Sequence, residues 1–258
     1  MRRILLVTLL LLAVPIALVV RPAAAAPKPE ALLVGDSVMN GMAQPYGATS
    51  RFQLAARYSY ILDTEGCRRL ITTSCRIGDN PAPTNAITEV RANAGQYRTA
   101  LVIGAGYNDP TTGEVGLDTA IDVMLAESAR QGVPYLVWLT YRVAGPSASR
   151  FAAHNALLRA RAAAEPRLII ADWATRSAAF PSSWFSADGI HLGTDATIAM
   201  ADLIGDTLDS VAVAWGYSKC VVTATTVGLA PTTTVAPHRA VASARASRPA
   251  KRLNLWCP

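Results

Sequence analysis

The sequence predicts an α/β fold in which one parallel sheet is covered by helices on both faces. Short runs of apolar residues recur along the middle of the chain, and segments with helical periodicity separate the later runs. Strands that are buried on both faces read as continuous apolar runs, which is typical of parallel sheets. In such sheets the ligand site lies beyond the carboxyl ends of the strands, so we expect functional residues in the motifs at those ends.

The predicted elements follow from these patterns in chain order. Five short apolar runs are predicted as strands: Ala31 to Val34, Tyr58 to Leu62, Ala100 to Ile103, Tyr135 to Leu139 and Leu168 to Ala171. Three longer segments with apolar residues at helical spacing are predicted as helices: Asp118 to Gln131, Arg150 to Ala164 and Thr194 to Val213. Together they form one domain over residues 27–218.

The first 26 residues are typical of a secretory signal peptide. Arg2 and Arg3 precede an apolar run from Ile4 to Val20, and an Ala-x-Ala pattern follows. The alternative is an uncleaved membrane anchor, because about 17 apolar residues reach the lower limit for crossing a bilayer. The alanines that follow the apolar run, at positions 23–26, favour cleavage, so we expect a secreted or extracytoplasmic protein.

The positive net charge lies mainly at the ends of the chain. Residues 219–258 contain six basic and no acidic residues, and their composition resembles a linker more than a folded segment. The body, by contrast, carries more acidic than basic residues, which argues against a nucleic-acid-binding protein. We expect the tail either to be solvated or to contact an anionic envelope surface, and to be dispensable for catalysis.

Four cysteines follow the predicted signal peptide, and disulfides are the usual state of cysteines in exported proteins. We therefore expect disulfides and no metal ligation. Four cysteines allow three pairings, and sequence proximity favours Cys67 with Cys75. Cys220 and Cys257 would then clip the tail to the body. Neither the cysteine spacing nor the scattered histidines and acids indicate a metal site, and no dinucleotide fingerprint is present, so no cofactor is expected.

Three motifs follow or flank the predicted sheet elements. Each contributes a polar residue that acyl-transfer chemistry uses: a serine nucleophile, an asparagine that can stabilise an oxyanion, and a histidine base with a nearby acid. The motifs are Gly35-Asp36-Ser37-Val38, Gly106-Tyr107-Asn108-Asp109 and Asp188-Gly189-Ile190-His191. The Gly-x-Ser-x-Gly elbow of α/β-hydrolases is absent, because position 39 is methionine.

In these three blocks the sequence resembles the SGNH hydrolases, also called GDSL esterases and lipases, over residues 31–192. The resemblance implies a flavodoxin-like three-layer α/β/α sandwich with a five-stranded parallel sheet. It also implies a catalytic triad of Ser37, His191 and Asp188. The oxyanion hole would consist of the Ser37 N–H, the Asn108 amide and a glycine N–H after the second strand. Gly66 fits that last position best, with Gly78 as the alternative.

Several of these residues also have simpler interpretations. Ser37 alone would be read as a helix N-cap, and Asn108 as a turn residue. Asp36 is expected to fix the turn around Ser37. His154 lies in an alanine-rich helix and is predicted to be solvated. Trp184 and Phe185 precede the histidine motif and either pack in the core or wall a substrate pocket.

The function expected from the resemblance is hydrolysis of carboxylic esters through an acyl-Ser37 intermediate. The substrates would be small-molecule, lipid, acylated-sugar or wall-glycan esters. Two alternatives stay open: an extracytoplasmic O-acyltransferase that uses the same site, and a non-catalytic envelope-binding module. The intact set of triad residues argues against the binding module.

Overall fold

The computed structural model describes residues 28–113, 115–221 and 254–256. Five strands form one sheet in which all neighbours are parallel. They are β1 (Glu30–Gly35), β2 (Ser59–Thr64), β3 (Ala100–Gly104), β4 (Tyr135–Leu139) and β5 (Leu168–Ala171). Their spatial order, β2-β1-β3-β4-β5, is the flavodoxin-like order. The predicted fold class is therefore confirmed.

Helices cover both faces of this sheet. They are α1 (Ala48–Arg57), α2 (Ala86–Ala92), α3 (Leu117–Arg130), α4 (Ala148–Ala164), α5 (Trp173–Ala178) and α6 (Thr194–Ala214). On one face α1 packs against α6, and on the other α2 packs against α3 while α4 packs against β5. Within the described ranges, no helix is both long and apolar enough to cross a bilayer.

The sheet is buried because its strands are apolar on both sides. All five residues of β3 are buried, as are five of the six residues of β1. These strands are central, so both of their faces contact helices. The edge strand β2 is only partly buried, which explains its weaker apolar pattern.

Helices α1, α2 and α5 were not predicted from the sequence. The last two have seven and six residues, too few to show a clear helical period. Side-chain caps stabilise both, since Asn85 accepts a hydrogen bond from the Thr88 N–H and Asp172 accepts one from the Thr175 N–H. Capping and tertiary packing therefore define these short helices more than periodicity does.

The ends of the tail contain two short strands that the composition did not predict. β6 (Lys219–Val221) pairs antiparallel with β7 (Asn254–Trp256). Trp256 is 8% exposed, packs against Tyr58 and Tyr217, and donates a hydrogen bond from Nε1 to the Arg57 carbonyl at 2.8 Å. Strand β7 thus contacts α1. The predicted signal peptide and Cys257 lie outside the described residues, so the pairing of Cys220 with Cys257 stays a prediction.

The prediction that His154 is solvated is wrong. Its side chain is fully buried in α4, against the rings of Tyr141 and Phe151. Neither ring nitrogen has a hydrogen-bond partner among the described residues. Burial, with a smaller contribution from the charge of Arg150, lowers the pKa of His154 to about 4. The many alanines of α4 concealed which face of this helix is buried.

We expect Trp256→Ala to lower the free energy of unfolding by about 3 kcal/mol, because a large buried ring and its hydrogen bond to α1 are lost. Urea denaturation followed by circular dichroism measures the change. Trp215→Ala is the matched control, since Trp215 is 50% exposed and its loss should change stability by less than about 0.5 kcal/mol. Equal effects of the two substitutions would contradict the docking of the tail on α1.

His154 should make stability depend on pH. Its pKa is about 4 in the folded protein and about 6.5 in an unfolded chain, so the unfolded state binds the proton more tightly. The free energy of unfolding should therefore fall as the pH drops from 6.5 towards 4. Between pH 7 and pH 5 the wild type should lose about 2 kcal/mol more than His154→Leu. Urea titrations at both pH values measure this, and parallel losses would refute it.

Candidate active site

The turn after β1 is fixed by a buried carboxylate. Asp36 is fully buried, and its Oδ1 accepts a hydrogen bond from the Val38 N–H at 3.0 Å. Its Oδ2 accepts from the N–H groups of Gly106 and Tyr107 at 3.1 and 3.0 Å. The carboxylate thus joins the loops that follow two neighbouring strands. Burial raises the pKa of Asp36 to about 6 although these three hydrogen bonds oppose the shift. This geometry matches the structural role expected for Asp36.

Two glycines let these loops approach closely. A Cβ on Gly104 would lie 2.1 Å from Cε of Met39, which packs over the end of β3. Gly106 has φ +124°, and a Cβ there would lie 2.1 Å from the hydroxyl of Tyr141. A side chain at Gly104 would displace the Met39 side chain, and one at Gly106 would displace the buried ring of Tyr141 or shift the loop after β3.

The structure brings Ser37, His191 and Asp188 into one hydrogen-bonded chain. The Oγ of Ser37 lies 2.8 Å from Nε2 of His191, and Nδ1 of the same ring contacts Oδ2 of Asp188. With Nδ1 donating to the carboxylate, Nε2 is free to accept the serine proton. Ser37 and His191 are partly buried and Asp188 is exposed, which leaves this hydrogen-bonded chain accessible.

Asp188 also shapes the turn that holds the histidine. Its Oδ1 accepts hydrogen bonds from the N–H groups of Ile190 and His191 at 2.9 and 3.1 Å. Gly189, between Asp188 and Ile190, has φ +77°, a conformation that glycine adopts without strain. Burial opposes ionisation, but the hydrogen bonds from Ile190 and His191 outweigh it and lower the pKa of Asp188. The carboxylate is therefore ionised beside the imidazole at neutral pH.

Asn108 lies at the same end of the sheet, in the loop after β3. Its Nδ2 donates a hydrogen bond to the Arg68 carbonyl at 3.2 Å, which orients the amide and leaves its second N–H unused by that bond. Arg68 is itself fixed, because its buried guanidinium binds the Asp63 carbonyl and forms an ion pair with the Asp63 carboxylate, both at 2.8 Å. This contact of Asn108 with the loop after β2 was not predicted from the sequence.

The loop after β2 contains the predicted Cys67–Cys75 disulfide, which the structure confirms with a Cα–Cα distance of 5.2 Å. Gly66 precedes it but does not line the cavity at Ser37, and Gly78 is exposed. Asp109 accepts hydrogen bonds from the Leu70 N–H at 3.1 and 3.3 Å, and burial raises its pKa to about 6. Asp109 therefore anchors this loop to the loop after β3. The oxyanion role of Gly66 stays a prediction.

A cavity of about 200 Å³ opens beside the hydrogen-bonded chain. Trp184 and Phe185 do not line it. Phe185 packs instead on Trp173 and under the guanidinium of Arg142, which supports core packing for this pair. The lining consists of Ser37, Tyr107, Asn108, Ala144, Gly145, Pro146, Ser147, Arg150, Phe151, Asp188, Ile190 and His191. Among the described residues, no group of three or more histidine, cysteine, aspartate or glutamate side chains could hold a metal ion.

No family model matches the sequence, and no curated protein matches it. Solved structures do resemble the fold. The catalytic domain of peptidoglycan O-acetyltransferase A from Streptococcus pneumoniae is 17% identical, with a TM-score of 0.54 over 72% of this chain and 96% of that chain. Est24, a carbohydrate acetylesterase from Sinorhizobium meliloti, is 16% identical, with a TM-score of 0.54 over 71% of this chain and all of its own.

A third structure is named for the motif Gly-Asp-Ser-Leu, which differs from Gly35-Asp36-Ser37-Val38 in its last residue. A member of the lipolytic G-D-S-L family from Veillonella parvula is 15% identical, with a TM-score of 0.51 over 69% of this chain and 96% of that chain. The chain has the SGNH hydrolase fold. At these identities the likeness shows the fold alone.

We expect Asp36→Asn to destabilise this site. In one orientation the amide NH₂ faces the Val38 N–H, and in the other it faces the N–H groups of Gly106 and Tyr107, so a donor always meets a donor. The free energy of unfolding at pH 8 should fall by about 1–3 kcal/mol, measured by urea denaturation. Asp195→Asn is the control, because Asp195 is exposed at the start of α6. An unchanged stability of the Asp36 variant would show that the carboxylate is not required.

Proposed function

We propose that this chain is a serine esterase that hydrolyses small carboxylic esters through an acyl-Ser37 intermediate. The observation that carries the proposal is the hydrogen-bonded chain from Ser37 through His191 to Asp188, at the wall of a cavity. A serine hydroxyl becomes a useful nucleophile when an oriented base can take its proton. A turn residue or a helix cap would not require this alignment.

In the first half-reaction, Ser37 Oγ attacks the ester carbonyl while its proton moves to Nε2 of His191. The carboxylate of Asp188 stabilises the imidazolium that forms. Collapse of the tetrahedral intermediate breaks the bond to the alcohol oxygen, which receives the proton from Nε2. In the second half-reaction, water attacks the acyl-Ser37 ester, His191 takes the proton of the water, and Ser37 leaves with that proton restored.

The negative charge on the carbonyl oxygen requires hydrogen-bond donors. The Asn108 amide is proposed as one donor, because it lines the cavity and the Arg68 carbonyl fixes its orientation. The N–H of Ser37 and that of Gly66 are proposed as the others. A donor that is already fixed needs no reorganisation when the charge develops, so the anchored loop after β2 would contribute directly to the rate.

The size of the cavity favours a short acyl group. Its volume of about 200 Å³ is below the range of about 300–1,000 Å³ typical of sites for drug-sized ligands. An acetyl or similarly small acyl group fits such a space, and a long lipid chain would extend out of it. Two proteins that share this fold, the O-acetyltransferase domain and the carbohydrate acetylesterase, are named for the acetyl group.

Transfer of the acyl group to an alcohol is the alternative, and the similarity to the O-acetyltransferase domain favours it. The same acyl-Ser37 intermediate serves both reactions, which differ only in whether water or an alcohol attacks it. We further propose that the enzyme acts outside the cytoplasm. The signal-like residues 1–26 and the Cys67–Cys75 disulfide support this location, because disulfides persist in oxidising compartments.

Ser37→Ala should lower kcat for p-nitrophenyl acetate by about 10⁴-fold or more, because the nucleophile is lost. Release of p-nitrophenol by the mature protein measures it, with p-nitrophenyl butyrate and octanoate reporting the acyl-length preference. Ser210→Ala is the matched control, since Ser210 is exposed on α6.

Equal turnover by wild type and Ser37→Ala would show that the nucleophile is wrongly assigned. A folded wild type without turnover would reject the esterase proposal. A fall in free acid with formation of a new ester on addition of an acceptor alcohol would favour acyl transfer.

A further inference from the structure

The cavity at Ser37 contains one arginine, Arg150, in the first turn of α4. Its side chain is partly buried, and its guanidinium lies 5.3 Å from the centre of the Phe151 ring. The other charged residues of the lining, Asp188 and His191, are bonded to each other. Arg150 is therefore the one lining residue that carries a permanent positive charge.

The contacts of Arg150 leave part of its guanidinium unused. Its Nη2 donates a hydrogen bond to the Tyr107 carbonyl at 2.8 Å. Among the described residues, neither the buried Nε nor Nη1 has a hydrogen-bond partner. No carboxylate in the described part of the chain lies within ion-pair distance of Arg150, although other arginines of α4, Arg159 and Arg161, form ion pairs.

This arrangement suits a ligand better than it suits a structural ion pair. Nη1 has two N–H groups and Nη2 has one beyond its bond to Tyr107, and guanidinium donors of this kind bind the two oxygens of a carboxylate well. The hydrogen bond to the Tyr107 carbonyl holds the guanidinium beside the loop that carries Asn108. A fixed, partly desolvated cation attracts an anion more strongly than a mobile, solvated one.

We propose that Arg150 determines substrate specificity by binding a carboxylate on the alcohol part of the ester. This inference rests on the proposed esterase function and names the class of its substrates: short acyl esters of a hydroxy acid. The acyl group lies against Ser37 and Asn108, and the alcohol part extends towards the start of α4. Arg150 is a specificity residue and takes no part in proton transfer.

The test compares two esters that share the acetyl group and differ in one charge. 4-Acetoxybenzoate carries the carboxylate, and 4-acetoxybenzamide is its neutral counterpart of nearly equal size. The 3-substituted pair places the same groups at a different distance from the acetyl ester. In Arg150→Gln, kcat/KM for the acid should fall at least about tenfold, while that for the amide changes less than about threefold. Arg150→Lys should retain part of the preference. Arg159→Gln, on the same helix outside the cavity, should leave both values unchanged.

The comparison with the neutral ester separates specificity from structure. If Arg150→Gln lowers kcat/KM for acid and amide equally, Arg150 only supports the loop through Tyr107 and the inference is wrong. The inference is also wrong if the wild type does not prefer the acid to the amide in either the 3- or the 4-substituted pair. Raising the salt concentration should weaken the preference of the wild type for the acid and leave the amide unaffected.

A binding measurement keeps this inference separate from the esterase proposal. 4-Acetamidobenzoate resembles the acid but is a stable amide, and calorimetric titration measures its binding without turnover. Binding to the wild type that is lost in Arg150→Gln would support the carboxylate site even if no ester is hydrolysed. No binding to the wild type, together with no preference among the esters, would overturn it.

Discussion

The buried carboxylate of Asp36 is the interaction on which the rest of the site depends. The loops that follow the neighbouring parallel strands β1 and β3 lie at the same edge of the sheet. The sheet alone does not fix the position of one loop relative to the other. Asp36 does so, because one of its oxygens binds within its own turn and the other binds the backbone of Gly106 and Tyr107. Burial of the ionised carboxylate costs free energy, and this cost raises the pKa of Asp36. The three hydrogen bonds to the carboxylate offset part of it.

A second buried carboxylate repeats the arrangement one loop further on. Asp109 holds the N–H of Leu70, and Arg68 ties the same loop to the end of β2. The Cys67–Cys75 disulfide shortens the free length of this loop. Asn108 therefore lies between two anchored segments and contacts the Arg68 carbonyl. Rigid placement of an amide donor is what electrostatic stabilisation of an oxyanion requires.

The partly exposed residues of the site are supported by these buried ones. Ser37 and His191 are 154 residues apart in sequence and meet at one edge of the sheet, where Asp36 constrains the turn after β1 and Asp188 constrains the loop before α6. The start of α4 closes the other side of the cavity and brings Arg150 to it. The buried groups thus fix positions, and the accessible ones are left to interact with a ligand.

The sequence by itself determined the fold class, all five strands of the parallel sheet, and the edge at which polar residues would meet. Continuous apolar runs and local motifs carry that information, because burial on two faces and tight turns each leave a local signature. Only the tertiary structure decided which side chains touch. The burial of His154, the contact of Asn108 with Arg68 and the contact of Arg150 with the Tyr107 carbonyl all depend on segments distant in sequence. Pairwise contacts of this kind arise from packing and leave no periodic pattern in the chain.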